Sequence, residues 1–389
     1  MALAAMADAG ANEGQLQQNA TATATATAKA TITTTTPTPT PTTPIDLEPP
    51  APECAKLDTS KWFSLFAQTL YLILIFIPVA LYSIVESFFV KPKSLKGNVV
   101  LITGSARGLG QGFAWKFAQL GCKLACVDMN ETANQQTVLA INKKYGAGTA
   151  VAYTCNVALS DEITLLRQRV YRDFGHQVHL LVLNAGLVAS TPSITDFDDI
   201  YLHGVVTVNL SSNFFMIRAF LPDMMERNQG HIVAVSSLAG LVGIARGSMY
   251  VATKHAVMGL MESLHYELEE IPNNRVKTSV ICPYFINTSA FYNKMWHIRL
   301  PELSIDEVVN DAVAGIRRNV RIITSPAGMY YAINFIKMLP DRFTRTLRQI
   351  YYAKLNAPSV EFQKNMLPYK LLIESFKKFK FDFDELHTV

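Results

Sequence analysis

Residues 62–85 carry no charged side chain and are dominated by Leu, Ile, Phe, Tyr and Val. At about 1.5 Å of rise per residue, about 20 such positions cross a hydrocarbon core. The pattern predicts a transmembrane helix within a hydrophobic anchor covering residues 61–90. Trp62 at one end, and Glu86, Lys91, Lys93 and Lys96 at the other, read as interfacial anchors. Pro78 can kink the segment, so a single span and a re-entrant hairpin both stay open. The basic excess follows the segment, and the positive-inside rule then places the rest of the chain in the cytosol.

From residue 95 the pattern changes to short β-branched runs alternating with stretches of helical periodicity. Strands are predicted over 98–103, 123–127, 149–155, 179–183, 231–236, 277–281 and 321–324. Segments such as 162–174 and 249–271 read as helices between them. This alternation predicts an α/β fold, a doubly wound parallel sheet of about seven strands covered on both faces. The domain is expected to span 95–326, with an apolar, then basic, amphipathic extension over 327–389. Ligands of such sheets bind beyond the carboxyl ends of the strands.

Composition adds three points. Residues 1–60 are rich in Ala, Thr and Pro with few large apolar side chains, so they are expected to be disordered. Net charge is +4 with no long basic block, which gives no reason to expect nucleic-acid binding. The five cysteines include no C-x-x-C pair, so neither a disulfide framework nor a metal site is expected.

Between the first strand and first helix lies Thr103-Gly104-Ser105-Ala106-Arg107-Gly108-Leu109-Gly110. Glycines there permit a tight turn and close backbone approach to a pyrophosphate held at the helix N-terminus. Asp128 closes the second strand, 18 residues beyond Gly110. A carboxylate there accepts from the adenosine ribose hydroxyls and repels a 2′-phosphate, which favours NAD; it also reads as a turn cap. Arg107 argues for NADP, because its guanidinium can reach a 2′-phosphate.

Of fifteen tyrosines, only Tyr250 has a lysine four residues later, Lys254. On a helix that spacing puts both on one face, where the ammonium favours the phenolate. Tyr250 can then act as acid in reduction and base in oxidation. Ser237, thirteen positions upstream at a strand end, can hydrogen-bond the substrate oxygen, although Ser236 beside it competes for that role.

With these residues in this order, the chain from about 96 to 326 resembles the short-chain dehydrogenase/reductase superfamily, with its T-G-x-x-x-G-x-G turn and Ser-Tyr-Lys centre. The resemblance implies a Rossmann-type sheet, a nicotinamide cofactor and activity on CH–OH groups. It implies that Asn209 holds a water linked to the active-site lysine. It places Asn184, Ala185 and Gly186 at the strand end beside the cofactor, with Leu183 where the family has a further Asn. Asn156 stands where the family has an adenine-contacting Asp, and Val157 follows it. Gly104, Ser105, Arg107, Gly108, Leu109, Gly110, Asp128, Tyr250 and Lys254 complete the expected cofactor contacts with Pro283, Ile286 and Thr288.

Cys282-Pro283-Tyr284-Phe285-Ile286-Asn287-Thr288, behind an N-terminal apolar anchor, is similar to the epidermal retinol dehydrogenase and 17β-hydroxysteroid dehydrogenase branch. That branch implies an endoplasmic reticulum or lipid-droplet enzyme of lipophilic alcohols, all-trans-retinol first. A 17β-hydroxysteroid dehydrogenase, an NADPH-dependent carbonyl reductase and a catalytically silent membrane scaffold are the alternatives. Phe291, Tyr292 and Trp296 read as substrate-side residues, or equally as loop packing. The extension reads as a membrane contact, a helix packed on the domain, or a homodimer interface. Asn19-Ala20-Thr21 is a sequon, usable only if the tail is lumenal.

Overall fold

The computed structural model describes residues 59–188, 194, 195, 197, 199–287, 296–350 and 353–355. The tail before residue 59, with the sequon at Asn19, lies outside the described residues. Two compact units divide near residue 80.

Helix α1, Thr59–Phe89, runs 31 residues through Pro78 without a break. At about 1.5 Å per residue it is about 46 Å long, more than a hydrocarbon core needs. Phe63, Phe66, Tyr71, Leu74 and Phe76 are all largely exposed. These positions go round the helix, so its apolar side chains are not gathered on one face.

The second unit is built on a seven-stranded parallel sheet in the order β3-β2-β1-β4-β5-β6-β8. The strands are β1 Val99–Thr103, β2 Lys123–Asp128, β3 Ala150–Thr154, β4 Val178–Leu183, β5 His231–Val235, β6 Lys277–Pro283 and β8 Ile322–Ser325. Except in the edge strand β3, their central residues are buried on both sides, as parallel strands between helical layers require. Between them lie α2 Gly108–Gln119, α3 Glu131–Tyr145, α4 Ser160–Phe174, α5 Asp199–Val206, α6 Ser212–Glu226, α7 Ser248–Glu269 and α8 Ile305–Arg317. One face is filled by Leu166, Phe220, Met261 and Leu264, from α4, α6 and α7. The other is filled by Phe113, Phe117, Ile141 and Ile316, from α2, α3 and α8. Strand order reverses between β1 and β4, which opens the crevice in which such sheets bind ligands.

Helices α5 and α6 join through a π-helical turn, Thr207–Ser211. The joined helix, Asp199–Glu226, is long and apolar enough to cross a membrane, yet half of that window is buried. Its inner face packs on the sheet through Met216, Phe220 and Met224. Asp223 near its end accepts from Arg167 at 2.8 Å, which identifies it as a core helix.

At the amino edge of the sheet, Lys93 Nζ meets His231 Nδ1 at 2.9 Å and donates to Asn319 Oδ1 at 2.8 Å. His231 Nε2 lies 2.8 Å from Ser279 Oγ, which itself donates to Val320 O at 2.6 Å. Ser279 therefore accepts from His231, and the ring is the neutral Nε2–H tautomer accepting from Lys93 at Nδ1. Burial and the charges of Lys93 and Lys277 hold the imidazole well below its usual range. Burial also lowers the Lys93 ammonium to about 8. This corrects the reading of Lys93 as an interfacial anchor, because its ammonium points into the domain; Lys91 and Lys96 stay exposed.

Beyond β8, α9 Met329–Lys337 and α10 Asp341–Ile350 form the start of the extension. A short antiparallel ladder then pairs β7 Trp296–Ile298 with β9 Ala353–Leu355.

Candidate active site

The turn between β1 and α2 is shaped by backbone that only glycine adopts easily. Gly104 and Gly108 have φ of +69° and +58°. A methyl on Gly110 would lie 2.0 Å from Gly104 O, so α2 begins hard against the end of β1. The first turn of α2 leaves backbone N–H groups without intrahelical acceptors, at the positive end of the helix dipole. The glycines thus leave a backbone cradle suited to a pyrophosphate.

Neighbouring side chains hold this turn in place. Ala106 N donates to Asp128 Oδ2 at 3.0 Å, and Asn130 N donates to Oδ1 at 2.9 Å. Asp128 is thus a turn cap as well as a strand-end carboxylate, and each oxygen keeps a lone pair for a ribose hydroxyl. Ser105 is fully buried and donates to Asn134 Oδ1 at 2.9 Å, so its hydroxyl faces inward. Arg107 is exposed at the N-cap of α2. Val157 is buried in the core, and Asn156 Oδ1 accepts from Ala158 N at 3.1 Å.

Thr103 was not among the expected site residues, yet it joins β1 to β4. Its hydroxyl accepts from Asn184 N and Ala185 N, each at 3.0 Å. Asn184 Nδ2 returns to Thr103 O at 2.8 Å and Gly104 O at 3.2 Å. Threonine in the turn motif was the available signal, and its partner lies 81 residues on.

Past β5 the two serines separate. Ser236 is buried and donates to Lys254 O at 2.9 Å, tying the strand to α7. Ser237 accepts from Ala239 N at 3.1 Å, and its hydroxyl lies near enough to the Tyr250 phenol to favour the phenolate. Of the pair, Ser237 is the one in reach of the phenol.

Tyr250 and Lys254 do share one face of α7, with Lys254 Nζ 5.6 Å from the Tyr250 ring centroid. Burial pushes the phenol up to about 12, partly offset by the Ser237 hydroxyl. Burial also lowers the lysine to about 8. Lys254 Nζ donates to Val235 O at 2.9 Å, which ties the ammonium to the end of β5.

The π-helical turn carries Asn209 to the same place. Its side chain grips Leu187, accepting from N at 2.6 Å and donating to O at 2.9 Å, and donates to Thr253 Oγ1 at 3.1 Å. A methyl on Gly186 would sit 3.3 Å from Asn209 Oδ1 and 3.5 Å from Lys254 Nζ, so a side chain there would crowd both groups.

Pro283 ends β6 in a buried position, and Ile286 bridges to Leu303. Thr288, Phe291 and Tyr292 lie outside the described residues, as does the Trp296 side chain. An apolar cluster that sequence reading missed, Tyr201, Val205 and Met249 with Leu187 and Leu202, packs against Tyr250. A cleft of 590 Å³ beside Gly108, lined by Gln111, Trp115 and Asn287 among others, includes none of Ser237, Tyr250 and Lys254.

The family model described as short chain dehydrogenase matches residues 98–296. Epidermal retinol dehydrogenase 2 of Mus musculus is 32% identical, over 69% of this chain and 88% of its own length. 17-beta-hydroxysteroid dehydrogenase 13 of Homo sapiens is 33% identical, over 73% of this chain and 95% of its own length. A crystal structure of a short chain dehydrogenase/reductase from Burkholderia phymatum in complex with NAD aligns with a TM-score of 0.57 at 24% identity. It covers 68% of this chain and 99% of that one, and at that identity it speaks for the fold alone.

Proposed function

The chain belongs to the short chain dehydrogenase family, and from that premise we propose that it is a membrane-bound, NAD-dependent dehydrogenase of lipophilic alcohols, all-trans-retinol first. Membership of the family makes it an oxidoreductase acting on alcohols. The observation that carries the rest is the convergence of Ser237, Tyr250 and Lys254 at the carboxyl edge of the sheet that also holds the glycine cradle.

In this reading Gly104, Gly108, Leu109 and Gly110 hold the pyrophosphate of NAD through backbone. Asp128 takes the adenosine ribose, with Asn156, Val157, Asn184, Ala185, Gly186, Pro283, Ile286 and Thr288 along its length. NAD, when bound, would accept the hydride that leaves the alcohol carbon. Ser237 donates to the substrate oxygen and fixes its position. Tyr250 takes the hydroxyl proton, and its phenol at about 12 must be drawn down by Lys254 turning from Val235 O toward it. Asn209 holds Leu187 and, with Gly186, the space beside the lysine where a water can pass the proton on.

Asp128 favours NAD by repelling a 2′-phosphate, while exposed Arg107 keeps NADP in view. The two relatives stand at nearly equal identity, so retinol and 17β-hydroxysteroids are separated by assay. Helix α1, apolar on every side, is the anchor of this reading. Exposed Lys91 and Lys96 after the anchor support, in this reading, a catalytic unit on the cytosolic side of the endoplasmic reticulum or a lipid droplet.

The test is NAD-linked oxidation of all-trans-retinol by membranes carrying the wild type, beside Tyr250→Phe and an NADP control. Turnover with NAD that the variant lowers by at least about a hundredfold supports the reading. No turnover of retinol, steroids or long-chain alcohols with either cofactor refutes it and promotes a silent scaffold.

A further inference from the structure

Helix α9 uses only one face against the domain. Ile333 is buried in the core, and Met329 and Tyr330 pack beside it. The opposite face presents Tyr331, Phe335 and Met338, which are 77%, 59% and 76% exposed. Their spacing of four and three residues sets them in one row along the helix. Phe343, 53% exposed, follows on α10. Water is a poor neighbour for four large apolar side chains so close in sequence.

The charges around that row are mostly basic. Residues 329–350 carry Lys337, Arg342, Arg345 and Arg348 against Asp341 alone, a net +3 in a chain whose total is +4. Lys337, Arg342 and Arg345 are exposed. Apolar side chains rimmed by basic ones complement an anionic lipid headgroup layer, where each Lys or Arg near the surface adds about 1 kcal/mol.

Connectivity joins this patch to the site. Strand β8 ends at Ser325, whose carbonyl accepts from Tyr284 N at 2.8 Å just past β6, and α9 starts four residues later. After α10 the chain returns in β9, which pairs with β7, in the segment that follows the expected substrate loop. The patch therefore begins four residues beyond the carboxyl end of β8, and the chain that follows it pairs with β7.

We propose that the outer face of α9 and α10 rests on an anionic bilayer surface, a second membrane contact made by the catalytic unit itself. It deepens the lipophilic-alcohol reading, on which its use depends: a substrate dissolved in lipid reaches the site without crossing water.

Immersion is measured without turnover, so this inference and the dehydrogenase reading fail separately. The four described cysteines are buried, leaving Cys54 to be removed as C54S before labelling the full-length chain. A nitroxide is placed by Met338→Cys, by Tyr331→Cys in a second variant, and by Leu165→Cys on α4 as control, where Leu165 is 56% exposed. Each is reconstituted in phosphatidylcholine vesicles with and without phosphatidylserine. Labels at 338 and 331 are expected to favour oxygen over an aqueous relaxer, about 5–10 Å below the headgroup boundary, while the label at 165 stays in water. Arg342→Glu with Arg345→Glu should reduce immersion in the anionic vesicles. Aqueous accessibility at 338 and 331 equal to that at 165 overturns the proposal. Spin–spin broadening between copies at 338 also overturns it, because a second chain then covers the face.

Discussion

Replacing Gly110 by alanine adds one methyl group at the tightest point of the structure. That methyl would lie 2.0 Å from Gly104 O, 2.8 Å from Gly104 C and 2.6 Å from Asn184 Nδ2. Favourable carbon contacts sit at about 3.5–4.0 Å, so the start of α2 must retreat by about 1.5 Å. No side-chain rotation relieves this, because two of the three atoms are backbone and Asn184 Nδ2 is held by Thr103 O and Gly104 O. Overpacking of this kind costs about 3 kcal/mol, and the helix preference of alanine returns about 1 kcal/mol. The remaining loss of about 2 kcal/mol corresponds to a fall in Tm of about 4–8 °C. The same retreat moves the N–H groups of the first turn away from a pyrophosphate. Losing one charge-assisted bond, worth about 1.5–3 kcal/mol, weakens cofactor binding by about ten- to a hundredfold. Fluorescence titration with NADH gives Kd, and circular dichroism gives Tm. Gly112→Ala is the control, since its methyl meets only side-chain methyls of Ile305 and Val309, at 2.7 and 3.0 Å, and should lower Tm while leaving Kd alone. A Gly110→Ala protein with unchanged Kd would falsify the assignment of this turn as the cofactor cradle.

Gly259 lies in α7 with nothing within 4 Å of an added methyl, so Gly259→Ala should stabilise by about 1 kcal/mol and raise Tm by about 2–4 °C. A fall in Tm that deepens with protein concentration would instead reveal a second copy packed on that helix. His231 is held well below its usual range in the folded chain, while an unfolded histidine takes up a proton near pH 6.5. The unfolded state then binds more protons, so stability should fall as pH drops below about 6.5. Urea midpoints at pH 7.5 and 5 measure this, and His231→Gln should flatten the slope; an unchanged slope would rule out His231 as the source.

Local periodicity sufficed for the strand–helix alternation, because each parallel strand is a short apolar run and each helix has its own buried stripe. The predicted strand over 149–155 is β3, Ala150–Thr154, and that over 179–183 is β4, Val178–Leu183. Glycine spacing and the Tyr250–Lys254 interval were legible for the same reason, since both are relations within one turn or one helix. Cross-strand relations were not. Nothing in the sequence says that Thr103 meets Asn184, or that Ser236 turns toward Lys254 O while Ser237 turns toward Tyr250. Lys93 misled because a charge beside an apolar segment looks like an anchor, whereas its acceptors lie 138 and 226 residues further on. For the phenol, spacing reports the nearby ammonium, whereas burial, which raises it, depends on the whole packed site.

The Thr103–Asn184 clasp also orders events during synthesis. Strands β1 and β2 and helix α2 leave the ribosome early, and their pairing is local. The turn between β1 and α2 still lacks the amide that caps Thr103 O and Gly104 O until residue 184 has emerged. Strand β4 must also pass β2 and β3 to reach the far side of β1. Loop closure of that length is slow compared with pairing of adjacent strands. Until residue 184 has emerged, the nascent chain therefore exposes the open flank of β1, a parallel edge rich in Val, Leu and Ile. Holding that edge apart from other chains is a task for whatever meets the polypeptide at the ribosome exit, and the span from β2 to β4 sets how long the task lasts.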